Sequence, residues 1–169
     1  MPVDTVYQVR SGNIKTGPWT YTVSPKKTLS DSWDLKADKL SAYDMSVYGP
    51  NGFFRAFKGG IAGATRTDLK VVPTYEPVTE SISVAVTNQG TQTAEVVMKN
   101  VYTGEVVRQA LLPGKSFTKL WHLKEVYGWY DLTVRVASDA SFLRHLAGHV
   151  ETGKDSATDP AIGGLGRAP

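Results

Sequence analysis

The chain has 169 residues, which is enough for one large domain or two small ones. Its content of 41% hydrophobic and 21% charged residues fits a folded globular protein, and a net charge of +3 is too small to indicate a nucleic-acid-binding protein. The absence of cysteine excludes disulfides, thiolate metal sites and a cysteine nucleophile.

Short runs rich in β-branched and aromatic residues follow one another along the chain, separated by Gly, Pro, Asn and Asp, and each is typical of a β-strand. In chain order they are TVYQVR, WTYTV, YDMSVY, SISVAVTN, EVVMKN, EVVRQALL, YDLTVRVA and FLRHLAGHV. In SISVAVTN, Ile82, Val84 and Val86 alternate with smaller residues, which is the period of a half-buried strand. No long window shows the stripe of an amphipathic helix. We therefore predict an all-β chain of tandem Ig-like β-sandwich modules.

The second half of the chain repeats the pattern of the first half at a spacing of 87 to 89 residues. The matching positions are Pro25 and Pro113, Trp33 and Trp121, Leu35 and Leu123, Tyr43 and Tyr130, Asp44 and Asp131, Phe53 and Phe142, Arg55 and Arg144, and Gly59 and Gly148. We therefore predict a first repeat at residues 1–70, a second repeat at 71–153, and a flexible tail at 154–169.

The first repeat is predicted to be incomplete at its N-terminus. Residues 78–112 lie ahead of Pro113, whereas only 24 residues precede Pro25. The strands SISVAVTN and EVVMKN of the second repeat therefore have at most one counterpart, TVYQVR. A repeat that lacks a strand exposes a sheet edge unless a neighbour covers it. The simplest interpretation is a piece cut from a longer chain.

The stretch YGPNGFFRAFKGG, residues 48–60, combines turn residues with a basic-aromatic run. It could form a phosphate-binding glycine loop, a basic-aromatic binding patch or a β-hairpin. A phosphate loop needs its glycines and a following helix, but the second repeat has ASDA where the first has GPNG. We therefore predict a turn that enters a strand, with Arg55 and Arg144 on one face.

The motifs YGPNGFFRAFKG, SDSWDL, GWYDLTV and FLRHLAGHVETGKDSATDPAIG resemble the C-terminal domain of bacterial phosphocholine-preferring phospholipases C, of the non-haemolytic and haemolytic types. In that family the domain occurs as a tandem repeat after a catalytic domain of the alkaline-phosphatase type. The resemblance implies a parent that hydrolyses phosphatidylcholine and sphingomyelin to phosphocholine. It also implies that this chain is a non-catalytic accessory region whose partner is the catalytic domain, with no nucleic-acid partner.

The resemblance further implies that the parent is secreted or periplasmic. The start of this chain, MPVDTVYQVR, lacks the basic and apolar regions of a signal peptide, so we expect any export signal to lie upstream. No stretch approaches the roughly 18–20 apolar residues that a membrane span requires.

The residues themselves suggest no chemistry of their own, and we predict no catalytic, cofactor-binding or metal-binding residue. His145 and His149 lie in a strand pattern, where four residues separate side chains by about 13 Å, too far to share a metal ion. Asp44 and Asp131 follow equivalent tyrosines in separate repeats and are expected to cap turns or to pair with arginine. No nucleophile-elbow motif is present in the sequence.

A lipid or choline-headgroup contact is the alternative function. Aromatic faces bind quaternary ammonium groups, and basic side chains neutralise phosphate. Ordinary packing is the competing interpretation for the aromatic residues, and edge protection is the competing one for the lysines. The candidate contact residues are Trp19, Tyr48, Tyr127, Trp129, Lys26 and Lys27. If they act together, the chain is an autonomous phosphocholine- or membrane-surface-binding β module.

Overall fold

The computed structural model describes residues 3–63 and 66–162. Within these ranges the chain forms eleven β-strands and two single-turn 3₁₀ helices, at Pro77–Thr79 and Lys124–Val126. The strands are β1 (Thr5–Ser11), β2 (Trp19–Val23), β3 (Ala42–Tyr48), β4 (Phe54–Gly60), β5 (Leu69–Glu76), β6 (Ser81–Asn88), β7 (Ala94–Asn100), β8 (Val106–Leu111), β9 (Ser116–His122), β10 (Trp129–Val136) and β11 (Asp139–His149). Neither helix among the described residues has the length or the apolar character needed to cross a bilayer.

The strands form two antiparallel sheets. The large sheet has the order β2-β1-β3-β4-β11-β10-β7-β8, and the small sheet has the order β5-β6-β9. In the second repeat, four strands of the large sheet face the small sheet and enclose the main core. Its buried side chains include Ile82, Val84, Val86, Val96, Met98, Trp121, Leu123, Tyr130, Leu132 and Phe142. The predicted all-β sandwich is confirmed, including the inward alternation of the SISVAVTN strand.

The first repeat contributes four strands, β1 to β4, to the large sheet but none to a second layer among the described residues. Instead, the connection between β2 and β3, residues 24–41, lies across one face of these strands. A small core of Val9, Ile14 and Met45 packs there against partly buried residues. These are Trp19, Tyr21, Trp33, Leu35, Leu40 and Val47. Within the described ranges, the small sheet of the second repeat therefore has no counterpart in the first repeat.

The same part of the repeat folds differently in the two copies. In the second repeat, β9 pairs with β6 from Ser116 to His122. The equivalent residues of the first repeat, 28–34, form no strand. A strand satisfies its backbone N–H and C=O groups through a neighbour, and the described part of the first repeat has no counterpart of β6. The local sequence differs as well, because Asp31 and Asp34 stand where β9 has Lys119 and His122, and aspartate is disfavoured in strands.

The YGPNGFFRAFKGG stretch is a β-hairpin, as predicted. Asn51 and Gly52 both have positive φ, at 52° and 70°, which is the geometry of a type I′ turn. The N–H of Phe53 donates to the carbonyl of Pro50 across the turn at 3.0 Å. The turn joins β3 to β4, whose register runs from Tyr48 opposite Phe54 to the base of the hairpin.

The described part of the tail, residues 154–162, contains no strand but contacts the second repeat. The indole Nε1 of Trp129 donates to the carbonyl of Ala157 at 2.9 Å, and the hydroxyl of Tyr102 donates to Asp159 at 2.7 Å. The rest of the predicted tail, 163–169, lies outside the described residues. The repeat boundaries stay a prediction, and β5 begins just before the predicted boundary, at Leu69.

Candidate functional site

The two repeats are joined by a seam, which we define as the antiparallel pairing of β4 with β11. These strands are the equivalent strands of the two repeats. The pairing centres on Ala56 opposite His145, which are also equivalent positions 89 residues apart. Arg55 lies opposite Leu146, and its equivalent, Arg144, lies opposite Phe57. The register therefore has a local two-fold symmetry, as in the isologous interface of a homodimer.

Arg55 crosses the seam from the first repeat into the second. Its Nη1 donates to the carbonyl of Ala147 at 2.9 Å, and its Nη2 donates to the hydroxyl of Tyr130 at 2.9 Å. Nη2 also donates to the hydroxyl of Tyr75 on β5. The side chain is buried, and its guanidinium lies 4.3 Å from the ring centroid of Phe53. These contacts satisfy a charge that would otherwise be costly to bury.

Arg144 makes the mirror contacts in the opposite direction. Its Nη1 donates to the carbonyl of Lys58 at 3.0 Å, and its Nη2 donates to the hydroxyl of Tyr43 at 2.7 Å. Its guanidinium lies 4.4 Å from the ring centroid of Phe142, the equivalent of Phe53. Each repeat therefore inserts an arginine between an aromatic ring of its own and a tyrosine of the other repeat.

Two glycines make room for these tyrosines. A Cβ added at Gly148 would lie 2.7 Å from the hydroxyl of Tyr130, and one added at Gly59 would collide with the hydroxyl of Tyr43. Burial raises the pKa of Tyr130 above its ordinary value, although the charge of Arg55 acts in the opposite direction. The hydroxyl therefore stays neutral and accepts the arginine hydrogen bond.

Sequence reasoning predicted the strand and the shared face of Arg55 and Arg144 but missed their role in joining the repeats. The signal was present in the repeat itself. The tyrosine, phenylalanine, arginine and glycine that recur in both copies are the residues that build the seam. Their roles could not be read from the sequence because the pairing of β4 with β11 joins positions about 90 residues apart.

Trp129 and Tyr127, two of the predicted lipid contacts, lie together where β10 begins. The Trp129 ring lies against the ring of His149 at a tilt of 59°, with centroids 4.9 Å apart, and a Cβ added at Gly52 would collide with it. This tryptophan therefore packs between the first-repeat hairpin and the tail. Tyr127 is half exposed, and its carbonyl accepts a hydrogen bond from Ser156 at 2.9 Å. It borders a surface cavity of about 450 Å³.

Tyr48 ends β3 at the same end of the large sheet. Its ring is partly exposed and lies 5.1 Å from the ring of Phe54, while the guanidinium of Arg10 lies 5.1 Å from its centroid. The strand register places the end of β3, the start of β10 and the end of β2 at the same end of this sheet. Lys26 and Lys27 follow β2 and are exposed there.

Trp19 differs from the other candidates because it packs in the small core of the first repeat. Its ring lies 5.2 Å from that of Trp33. Lys27 borders a groove of about 520 Å³ that also holds Tyr21 and Asp31. A hydrogen bond from Tyr21 to Asp31 raises the pKa of the tyrosine to about 12 and lowers the pKa of the carboxyl group. The structure therefore does not bring the six candidates into one binding site.

The histidines and aspartates considered for chemistry make separate contacts. His145 Nε2 lies 2.6 Å from Asp131 Oδ1, and Lys58 Nζ lies 2.9 Å from Asp44 Oδ2, so the expected arginine partners are replaced by histidine and lysine. His149 Nε2 lies 2.9 Å from the carbonyl of Tyr127. In the described ranges, no three His, Asp or Glu residues are grouped as metal ligands.

The chain is similar in sequence to one family of known proteins. The profile of the family described as "Bacterial phospholipase C, C-terminal domain" matches residues 3–60 and 68–149. The chain is 40% identical over 159 residues to a non-hemolytic phospholipase C of Burkholderia pseudomallei, covering 92% of this chain and 23% of the relative. It is 36% identical over 140 residues to a hemolytic phospholipase C of Pseudomonas aeruginosa, covering 80% and 19%. The chain thus spans about a fifth of the length of these relatives.

Proposed function

Because the chain belongs to the family of C-terminal domains of bacterial phospholipases C, we propose that it is a non-catalytic accessory region that supports a catalytic domain. The parent enzyme would hydrolyse phosphatidylcholine and sphingomyelin to phosphocholine. It would act outside the cytoplasm, as a secreted or periplasmic protein.

The observation that carries this proposal is the continuous large sheet. Eight strands from both repeats form one sheet, and two buried or half-buried arginines bridge its centre. Paired strands with cross-strand hydrogen bonds resist relative motion of the two repeats. A stiff platform of this kind is suited to holding a second domain in a fixed position.

The test mixes the purified chain with a separately produced catalytic domain of a family member. We expect a complex in sedimentation velocity, and higher turnover of sphingomyelin and phosphatidylcholine vesicles when the chain is present. Turnover of a soluble phosphocholine ester should not change, because that substrate requires no surface. The absence of both association and any effect on vesicle turnover would contradict the accessory role.

A second candidate function is direct contact with a lipid surface. One end of the large sheet gathers partly exposed aromatic residues, Tyr48 and Tyr127, with the exposed lysines Lys26 and Lys27. Aromatic rings favour the membrane interface, and each lysine adds on the order of 1 kcal/mol near an anionic surface.

Co-sedimentation distinguishes the sources of such binding. Binding to phosphatidylcholine and sphingomyelin vesicles that persists in physiological salt would indicate headgroup recognition. Binding only to phosphatidylglycerol vesicles that is lost with salt would indicate generic charge attraction. The variant Tyr127→Ser should weaken headgroup binding, whereas Leu120→Ser, a similarly exposed site on β9, serves as the matched control. No binding to either vesicle would exclude this function.

A further inference from the structure

The inner face of the first repeat, which we define as the face of β1 to β4 that carries Val9, Val47 and Phe57, is incompletely covered. Equivalent positions show the difference. Leu146 lies under the small sheet and is 3% exposed, whereas its equivalent, Phe57, is 39% exposed. In the second repeat the layer that covers this position consists of β5, β6 and β9. Among the described residues, the first repeat is covered on this face by Ile14 and by residues 24–41, and β5 reaches only the seam at Arg55 and Phe57.

The segment of the first repeat that corresponds to β9 has an unpaired backbone. Residues 28–33 form no backbone–backbone hydrogen bond with any described residue. In the second repeat, all seven residues of β9, Ser116 to His122, pair with β6, and they correspond to residues 28–34. The N–H of Ser32 donates to the side chain of Asp31 at 2.7 Å. A segment whose other N–H and C=O groups lack backbone partners is a template for another strand.

A groove runs between this segment and the inner face. It has a volume of about 520 Å³, and its apolar lining comes from β1, β2 and the segment itself. Its lining includes Val9, Tyr21, Val23, Leu29 and Trp33. A smaller opening of about 130 Å³ lies at the seam, where Phe57 and Arg144 face Pro73 on β5. The two openings flank the part of the inner face where counterparts of β5 and β6 would lie.

We propose that this inner face is a docking surface for a β-hairpin supplied by the polypeptide that precedes the two repeats in full-length phospholipases C. The second strand of the hairpin pairs with residues 28–34, as β6 pairs with β9. Its inward residues are apolar and alternate along the strand, as Ile82, Val84 and Val86 do in β6. They cover Phe57 and the partly buried Val47, beside the small core in which Val9 is already buried.

The position of the hairpin β5–β6 in the second repeat indicates which segment would dock on the first repeat. In the second repeat the hairpin β5–β6 lies directly ahead of β7 in the chain. With the 88-residue offset of the repeat, its counterpart in the first repeat would lie directly ahead of β1. The curated relatives are several times longer than this chain, so they contain polypeptide that could supply it. The source of the hairpin rests on the proposed function, in which this chain is part of a larger enzyme. The docking surface itself does not depend on that proposal.

The test adds a hairpin to the full chain. A chimera carries a second copy of residues 69–93 joined ahead of Thr5, which reproduces the spacing of the second repeat because Val9 pairs with Val47 as Met98 pairs with Val134. A tethered hairpin is present at a high effective concentration, so weak docking is detected. We expect amide hydrogen exchange at residues 28–34 to slow at least tenfold. In a control chimera, serine replaces the three apolar residues of the added copy that correspond to Ile82, Val84 and Val86, and exchange should stay fast.

Two matched substitutions locate the contact. Leu29 borders the groove and is 52% exposed, whereas Val6 is 54% exposed and points to the opposite face of β1. The substitution Leu29→Asp should abolish the slower exchange in the chimera, and Val6→Asp should leave it intact. Unchanged exchange at 28–34 in a folded, monomeric chimera would overturn the proposal. So would a dimer of the unmodified chain that protects 28–34, because the occupant would then be a second copy.

The origin of the docked hairpin is tested in a full-length phospholipase C of the family. The segment equivalent to 28–34 should exchange slowly, and deleting the roughly twenty residues ahead of the repeats should make it exchange fast. Fast exchange before the deletion would overturn the assignment of the source. Vesicle turnover is measured separately, so a failure of the accessory role is distinguishable from a failure of the docking surface.

Discussion

Trp33 and Trp121 hold the same position in the two repeats and have the same flanking pattern, yet their surroundings differ. Trp121 lies on β9 between the two sheets and is 4% exposed. Trp33 lies on an unpaired segment and is only partly buried, with Trp19 as its aromatic neighbour. The two segments share the tryptophan and the leucine two positions later, but Asp31 and Asp34 replace Lys119 and His122, and no described strand lies beside the first segment. Both the neighbouring strand and the local sequence therefore bear on whether this part of the repeat becomes a strand. This agrees with the strong dependence of β-propensity on context.

The seam shows the opposite behaviour, because both copies use the same residues in the same way. Arg55 and Arg144 each reach a carbonyl and a tyrosine of the other repeat. Arg55 has one further partner, Tyr75 on β5, and the described part of the first repeat offers Arg144 no equivalent. The repeats are therefore symmetric where they meet and asymmetric where the second layer is missing.

The largest expected difference between the repeats is in the loss of stability when the equivalent tryptophans, Trp121 and Trp33, are replaced by alanine. Trp121→Ala should lower the free energy of unfolding by about 3–5 kcal/mol, because it leaves a cavity in the main core. Trp33→Ala should cost less than half as much, since its site is open to solvent and can collapse. Urea denaturation of both variants measures the difference. Equal losses would mean that the first repeat is as closely packed as the second.

The variant Trp121→Phe sharpens this comparison. The indole Nε1 of Trp121 is buried and has no hydrogen-bond partner among the described residues. Phenylalanine keeps most of the ring volume and removes the unsatisfied donor, so the loss should be well below that of alanine. A loss as large as that of Trp121→Ala would contradict this account.

The next largest loss of stability is expected when the arginines of the seam are replaced. Arg55→Met should lower the free energy of unfolding by about 2–3 kcal/mol, because it removes charge-assisted hydrogen bonds and leaves the hydroxyl of Tyr130 buried without its donor. Arg144→Met should cost about half as much, since Arg144 is more exposed and has fewer partners. Chemical denaturation measures both. The lysine variants should not restore stability, because lysine cannot reach two acceptors with a planar fork.

Replacing the glycines that face the tyrosines should destabilise the protein less, and a second substitution of the tyrosine should restore part of the stability. Gly59→Ala should cost about 1–3 kcal/mol through its clash with the hydroxyl of Tyr43, and Tyr43→Phe in the same chain should recover most of the loss. Gly148→Ala should be rescued less completely by Tyr130→Phe, because Gly148 has a φ of 154° that an alanine rarely adopts. Thermal unfolding of the single and double variants tests this. Equal rescue at both sites would contradict the backbone explanation.

The smallest expected effect concerns the exposed hydrogen bond between Tyr21 and Asp31, which involves the segment of the first repeat that corresponds to β9. The bond raises the pKa of Tyr21 from its ordinary value near 10 to about 12. Its contribution to stability is therefore present below pH 10 and is lost as the pH rises towards 12. In Asp31→Asn the ionisation of Tyr21 should move back towards pH 10, as measured by difference absorbance titration. Asp38→Asn is the matched control, and a shift in both variants would argue against a specific bond.

The strands and the repeat could be predicted from the sequence because both are recorded in local patterns. Alternation at Ile82, Val84 and Val86 marks a buried strand, and Asn51-Gly52 marks a hairpin turn. The unequal lengths ahead of Pro25 and Pro113 predict fewer strands in the first repeat, and its described residues form four strands where the second repeat has seven.

The seam and the position of Trp129 could not be predicted, because they depend on contacts between distant parts of the chain. Nothing near Arg55 indicates that its partner is Tyr130, 75 residues away. The candidate lipid contacts were chosen for their aromatic character, but the ring of Trp19 is used in packing, and Trp129 contacts His149 and Ala157. Aromatic character alone does not separate a packed ring from one that is free to bind a ligand.

The two-fold pairing of β4 with β11 also limits how many repeats such an array can contain. A head-to-tail contact joins different surfaces and leaves one of each free at the ends, so the array can grow. Here each copy contributes the same edge strand, and the pairing occupies both. A third copy would find no free strand of that kind. Duplication of this unit, joined in this way, therefore ends at two.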